Sequence, residues 1–395
     1  MDGEESTAVV VVGAGPAGLV LGNLLLAAGV ECVVVERRSR AHVEQRARAG
    51  FLAAHTVRVL TGHGLADGLA ADGRQHHTCT FRTAAGAFDL DYAALGRGEV
   101  HTVYPQQHLV RDLVATFLAR GGDLRFDTPA ESITGLDTDR PTVTVRTPGG
   151  GSTRLRGRFV AGCDGRHGTA RAAVPAGAVR RYRRDHGVSW LALLAEAPQS
   201  MAAVAYAVHE DGFAGHMART PDVTRYYLQC PRGDDPQAWS DDRVWAELHH
   251  RMRADRHGPL RQGPIIERRV VDMGSDVLDP IRYGPLFLVG DAASLISPSA
   301  AKGANLAVME AEILAAGLVA GLRGDTGPLD RYSADCLPRI WRAQEFSHWM
   351  IGLLHGPAGD GDEAVFLRAL QQARLESLRT SRRHQDHFAE NYVGI

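Results

Sequence analysis

The sequence predicts an α/β protein: a Rossmann-like nucleotide-binding domain, a mainly antiparallel β-sheet domain and a helical C-terminal region. Three observations carry this. First, the run Val9–Val12 leads straight into Gly13-Ala14-Gly15-Pro16-Ala17-Gly18, and after a helix-length apolar stretch a second strand, Cys32–Val35, ends on Glu36. Second, strand-like segments crowd the region after about residue 180. Third, the chain reads as helical from about residue 304 to its end.

The first observation is a β-α-β unit with its glycines and acid in register for a dinucleotide. Gly13 permits the tight turn, Gly15 lets a pyrophosphate approach the backbone, and Gly18 lets the helix pack on the sheet. The helix N-terminus supplies free N–H groups and the positive end of its dipole. Glu36 can accept hydrogen bonds from both hydroxyls of a ribose.

The other elements follow in order. Residues 107–120 predict an amphipathic helix, with Leu109, Leu113, Val114, Phe117 and Leu118 on one side. Strands are expected at 143–145 and 159–161, joined by the turn signal Pro148-Gly149-Gly150-Gly151. The second runs into Cys163-Asp164-Gly165. Strands at 190–194, 204–208 and 224–229 suit a substrate-facing sheet. The strand 286–289 returns to nucleotide-fold character and ends in Gly290-Asp291-Ala292-Ala293. Helices are expected over 304–322, 328–354 and 363–380. The expected division is a nucleotide-binding domain over 1–178, discontinuous and completed by about 270–300, a sheet domain over 179–290, and a helical interface region over 291–395. Arg180-Arg181 and Arg183-Arg184 read as a solvated inter-domain surface, and His249-His250 as an exposed helix face.

Composition narrows the class. A net charge of −2 and a pI near 6.8 leave no basic footprint for nucleic acid. No apolar run is expected to reach the ~20 residues of a bilayer span, and residues 8–36 belong to the nucleotide fold, not to a signal peptide. Cys32, Cys79, Cys163, Cys230 and Cys336 lack the spacing of a metal site or disulfide framework, so no metal is expected and a soluble cytoplasmic protein is. Among 44 Lys plus Arg, Lys302 is the only lysine. In so arginine-rich a chain it marks a position suited to a compact point charge.

Gly13–Gly18 with Glu36, Cys163-Asp164-Gly165 and Gly290-Asp291-Ala292-Ala293 each follow a predicted strand, so all three can meet at the carboxyl edge of one sheet. In this order the set resembles the FAD-dependent aromatic hydroxylases, the 4-hydroxybenzoate 3-monooxygenase type in particular. The resemblance covers essentially the whole chain. It runs through Arg46-x-Arg48-Ala49-Gly50, Val103-Tyr104-x-Gln106 and Ala161-Gly162-Cys163-Asp164-Gly165-x-His167-Gly168. It continues through Arg225-Tyr226-Tyr227 with Gln229, Ala301-Lys302-Gly303-x-Asn305-Leu306, Arg339-Ile340-Trp341 and Glu390-Asn391-Tyr392-Val393-Gly394.

The resemblance implies FAD as cofactor, held by Gly13, Gly15, Gly18, Glu36, Arg37, Arg46, Arg48, Gln106, Asp164, Asp291, Ala304 and Asn305, with Lys302 beside the flavin. It implies NADPH or NADH as co-substrate, received on a basic surface of Arg37, Arg46, His167 and Arg171; Arg38, Arg40 and His42 favour the phosphate of NADPH. Oxygen would be captured as a flavin C4a-hydroperoxide and passed to a phenolic ring. Tyr206, Tyr392 and His76 would relay the phenol proton, and the Pro298 carbonyl would accept from the substrate hydroxyl. Arg219 and Tyr227 would clamp a carboxylate, with Arg225 near the flavin. A homodimer is implied by the helical region.

Departures from the family pattern bear on substrate. Met217 stands where the family has a serine, Ser294 where it has histidine, and Ser297, Ser299 and Ala300 where it has proline, threonine and glycine. The implied substrate is a 4-hydroxybenzoate with altered surroundings, 3-amino-4-hydroxybenzoate among the candidates. Two rivals remain: a flavin monooxygenase on another phenolic secondary-metabolite intermediate, and a non-catalytic flavin- or aromatic-acid-binding protein. The Trp-x-Trp-x-Ile-Pro pattern of flavin halogenases is absent.

Overall fold

The computed structural model describes residues 3–46, 50–65, 67–202, 204–253, 259–357, 359 and 361–394. Its nucleotide-binding core is a six-stranded sheet in the order Arg282–Tyr283, Leu286–Leu288, Phe159–Gly162, Val9–Val12, Cys32–Val35, Asp123–Arg125. Every neighbouring pair is parallel except the first, which is antiparallel. Val9–Val12 and Cys32–Val35 are buried at every residue. Their continuous valine runs reflect burial on both faces, as parallel sheets require.

Register brings the three motifs together. Val12 lies beside Gly162, and Gly162 beside Leu288. The turns starting at Gly13, Cys163 and Val289 therefore leave one edge of the sheet side by side, as expected from the sequence. The helix Pro16–Ala27 carries Pro at its N-terminal start and packs against the helix Gly303–Leu322.

A second, eight-stranded sheet runs in the order Ser294–Leu295, Ile265–Asp279, Arg180–Ala195, Val223–Cys230, Ala214–Thr220, Val204–Ala207, Thr78–Thr83, Gly86–Asp91. It is antiparallel apart from the pairing of Val204–Ala207 with Thr78–Thr83. Three of its strands lie outside the 179–290 expected for the sheet domain: Thr78–Thr83 and Gly86–Asp91, a hairpin numbered within 1–178, and Ser294–Leu295, numbered within 291–395. Strand pairing joins segments remote in sequence, which local alternation does not reveal. The paired arginines at 180–184 open its long strand and are exposed, with Arg181 bonded to Asp276.

The expected helices are Gln106–Ala119, Gly303–Leu322, Gly327–Leu354 and Asp362–Thr380, followed by a further helix, Arg382–Val393. Gly303–Leu322 has the length and hydropathy of a membrane span, contrary to expectation. Two-thirds of its apolar window is buried inside the molecule, and its partners are Pro16–Ala27 and Gly327–Leu354. The last helix carries Tyr392 into an aromatic core with Phe81, Phe388, Tyr92 and Tyr206.

Candidate active site

The three motifs border a cleft of about 610 Å³, a volume that suits a cofactor. Ala14, Gly15, Glu36, Arg37, Arg46, Gln106, Asp164, Asp291, Lys302 and Ala304 all line it. Gly13 has a φ of +105°, and a Cβ there would meet the Cys163 carbonyl at 2.5 Å. At Gly18 a Cβ would lie 2.0 Å from the Gly13 carbonyl. At Gly15, by contrast, a Cβ meets nothing within 4 Å; that space faces the helix N-terminus.

Glu36 accepts the Ala14 N–H at 2.9 Å and the Arg38 N–H at 2.9 Å, and each oxygen keeps a lone pair for a ribose hydroxyl. Asp164 Oδ2 accepts the Ala170 N–H at 3.0 Å, while Oδ1 is buried without a hydrogen-bond partner among the described residues. Burial raises its carboxyl pKa. An open glycine, spare acceptors and an unsatisfied buried oxygen fit a dinucleotide.

Two residues beneath the Gly290-Asp291 turn hold it in place. Glu310, fully buried, accepts the Gly290 N–H at 2.5 Å, and burial pushes its carboxyl up to about 8. Arg171 donates to the Ala292 carbonyl at 2.9 Å and to Asp276 at 3.1 Å. Arg171 is thereby a buried bracket between elements, not part of an open basic surface; its guanidinium side chain is only 10% exposed. His167 is exposed and receives Arg166 Nε–H at 2.7 Å, away from the cleft lining. Arg37 and Arg46, with Arg38 and His42, do lie along the cleft. Arg48 falls outside the described residues.

Asn305 departs from expectation. Its amide donates to the Phe51 carbonyl at 3.0 Å and the Ala301 carbonyl at 2.8 Å, and its oxygen accepts from Ala53 N–H and Thr56 Oγ1, both at 2.8 Å. All four of its hydrogen-bonding positions are used. Any contact to a cofactor falls to its main chain. Lys302 is 2% exposed and donates to the Tyr392 carbonyl at 3.0 Å and to the Gly394 carbonyl. A cation thus sits at the C-terminus of the last helix, where carbonyls are otherwise unpaired. Burial, then Arg342, brings its pKa down to about 7.

A smaller chamber opens beside the cleft, lined by Phe51, Trp190, Tyr206, Phe213, His216, Met217, Tyr227, Pro298, Ser299 and Tyr392. Its free volume is about 20 Å³, room for a single water-sized sphere. An aromatic ring therefore enters only if side chains move, and Met217, unbranched and adaptable, is the wall best able to yield. The Tyr206 and Tyr392 hydroxyls meet at 2.7 Å. Burial raises both phenol pKa values, so both are neutral and able to pass protons near neutral pH.

Pro298 begins a short turn whose carbonyl takes the Ala301 N–H at 3.1 Å. One lone pair of that carbonyl stays available to a substrate hydroxyl. Ala301 has a φ of +52°, a conformation uncommon outside glycine and asparagine. The unexpected serines explain how the turn is held: Ser297, Ser299 and Ser347 form a buried triangle of hydroxyls at 2.6–2.9 Å, tying the turn to helix Gly327–Leu354.

Arg219 and Arg225 are both buried. Arg219 Nη2 donates to Gln107 Oε1 at 3.0 Å, and Arg219 is not among the residues lining either space. Arg225 lines the cleft with Tyr227 and faces Glu267 at 3.9 Å. Burial, then Arg225, pulls the Arg219 pKa down to about 10. The two buried guanidiniums thus lie close enough to act on each other through charge.

His76 does not reach the tyrosines; its register partner His101 stands between them. Trp190, Phe213 and Phe51 also shape the chamber without having been anticipated. Trp190 Nε1–H donates to the buried His355 at 2.6 Å, and its ring stacks on Phe213 and meets Tyr227 at a tilt of 48°; no local sequence signal distinguishes it from a core tryptophan. Away from both spaces, His209, Asp211 and His250 bring donor atoms within 4.8 Å of one another, a grouping that sequence spacing did not suggest.

Comparison with known proteins agrees with this geometry. The sequence profile of the FAD binding domain matches residues 6–347. The chain is 36% identical over 98% of its length to p-hydroxybenzoate hydroxylase of Acinetobacter baylyi, covering 95% of that protein. It is 27% identical over 83% of its length to aklavinone 12-hydroxylase of Streptomyces peucetius subsp. caesius, covering 71% of it. Its fold is similar to p-nitrophenol 4-monooxygenase of Pseudomonas putida, with a TM-score of 0.82, 21% identity and 99% of each chain covered. The chain belongs to the FAD-dependent aromatic hydroxylases, the monooxygenase family of p-hydroxybenzoate hydroxylase.

Proposed function

We propose that this monooxygenase hydroxylates a small phenolic carboxylic acid of the 4-hydroxybenzoate type, with 3-amino-4-hydroxybenzoate as a specific candidate. The observation that carries the proposal is the Tyr206–Tyr392 hydroxyl pair at 2.7 Å in a buried aromatic chamber. The buried arginines at 219 and 225 support an anionic group on the substrate.

FAD, reduced by NAD(P)H, supplies oxygen activation when bound. The chain's own residues perform the rest. Glu36, Asp164 and Asp291 orient the cofactor at the sheet edge, and the Pro298 turn positions the ring with its free carbonyl lone pair. Tyr206 takes the phenol proton while passing its own to Tyr392, leaving a more nucleophilic ring. Trp190, Phe213 and Met217 exclude water. Arg219 and Tyr227 hold the carboxylate once the chamber opens, with Arg225 closing the path toward the cleft. An amino group at C3 would activate its own ortho positions, allowing insertion at C2.

We also propose NADPH as the preferred reductant, favoured by Arg37, Arg38, Arg40 and His42, a cytoplasmic location, and a homodimer. The helix Asp362–Thr380 supports the dimer, since it leaves Val365, Phe366, Leu367 and Leu370 exposed on the surface. The test is a panel of 4-hydroxybenzoates scored for stimulated NADPH oxidation and hydroxylated product. If turnover with amino-substituted benzoates stays at the uncoupled oxidase rate, that candidate fails. If the whole panel yields only peroxide, the benzoate reading fails and a larger phenolic substrate is favoured.

A further inference from the structure

We infer that His101 is the link that carries the substrate proton from Tyr392 to His76 and so to solvent, completing a relay of side chains. This rests on the proposed use of Tyr206 and Tyr392 as a phenol relay. His101 is 1% exposed, and neither of its ring nitrogens has a hydrogen-bond partner of good geometry among the described residues. An imidazole buried with both nitrogens unsatisfied costs stability, so packing alone does not account for a histidine here.

Its neighbours supply a reason. The His101 ring meets the Tyr392 ring edge-on, with centroids 4.9 Å apart and planes at 90°. On its other side, His101 in strand His101–Val103 is paired in register with His76 in strand Arg74–His76. Directly paired residues project to the same face of a sheet. Phe51 packs against both rings, at 5.0 Å from His101 and 5.5 Å from His76. His76 is only partly buried. The sequence Tyr206, Tyr392, His101, His76 therefore leads stepwise from the chamber to the surface.

The groups facing His101 are Tyr92 and Tyr392 by ring contact, with Lys302 and His76 acting through charge. Burial, then Lys302 and His76, keeps its pKa well below the ordinary value, against a smaller opposing pull from the Tyr392 carbonyl. A neutral imidazole has one N–H and one lone pair, the set a relay needs. As the phenol proton reaches Tyr206, the Tyr206 proton moves to Tyr392 and the Tyr392 proton to the bare nitrogen of His101. The opposite N–H of His101 gives its proton to His76, which releases one to water. Each side chain of the relay ends neutral, and the one negative charge left in the core is that of the substrate phenolate.

The test uses FAD-loaded protein with 4-hydroxybenzoate and 3-amino-4-hydroxybenzoate as probes, and follows proton release on binding with an indicator dye in stopped flow. His101→Gln keeps a polar side chain that cannot relay. We expect it to hold FAD and probe within threefold of wild type, to release the proton at least tenfold more slowly, and to regain rate with added imidazole. Wild-type release should show a curved proton inventory in mixed H2O and D2O, a measurement that does not depend on the variant folding. Wild-type release in His101→Gln, with slow release in Tyr392→Phe, would overturn the role of His101 and leave the tyrosine pair standing. Wild-type release in Tyr392→Phe as well would overturn the relay reading itself. A linear, one-proton inventory would also contradict the chain.

Discussion

The Tyr206 and Tyr392 hydroxyls lie 2.7 Å apart, although one comes from strand Val204–Ala207 and the other from the last turn of the final helix. Lys302 holds the end of that helix through the Tyr392 and Gly394 carbonyls. One buried side chain thus ties down the turn that carries a proposed proton carrier. Tyr392→Phe should lower the hydroxylation rate by about 10²-fold, the scale of a lost proton-transfer group, with a much smaller change in substrate affinity. Single-turnover kinetics measure both.

Gly15 separates cofactor binding from folding. Its Cβ position is open, so Gly15→Ala should leave the Tm of the apoprotein within about 2 °C while weakening FAD at least tenfold. Gly18→Ala, whose Cβ would strike the Gly13 carbonyl, should damage the fold itself. Thermal melts and FAD titration distinguish the two.

Glu310 predicts a pH dependence. Its folded pKa is raised to about 8 from an ordinary 4.5, so the folded state holds a proton that the unfolded state has lost between those values. This contribution to stability is complete below about pH 4.5 and disappears as pH rises to 8. Glu310→Gln mimics the protonated form and should flatten the fall in apoprotein stability over that window. Urea denaturation at pH 5, 6.5 and 8 checks it.

Arg219 predicts substrate charge. Arg219→Met should raise KM for a benzoate about 10- to 100-fold, the range of a hydrogen bond to a charged group, and leave KM for a neutral phenol analogue far less changed. Equal effects on both would point to a structural role through Gln107.

The sequence made the nucleotide site legible because its physics is local. A strand, a glycine turn and an acid stand close in the chain, and the valine runs declare a doubly covered sheet. What stayed hidden depends on distant partners. Arg171 reads as a basic surface residue until Asp276 and the Ala292 carbonyl enclose it. Asn305 reads as a cofactor ligand until Phe51, Ala53 and Thr56 consume its amide. His101 gives no local signal, since only strand pairing sets it beside His76 and only the last helix brings Tyr392 against it.

The most direct test of the whole account is the coupling of oxygen insertion to reductant use. With purified FAD-loaded protein, NADPH and a 4-hydroxybenzoate substrate, the account predicts substrate-stimulated NADPH oxidation with hydroxylated benzoate formed in near-equal amount. Stimulated oxidation that yields only hydrogen peroxide with every 4-hydroxybenzoate, or no stimulation by any of them, would contradict it.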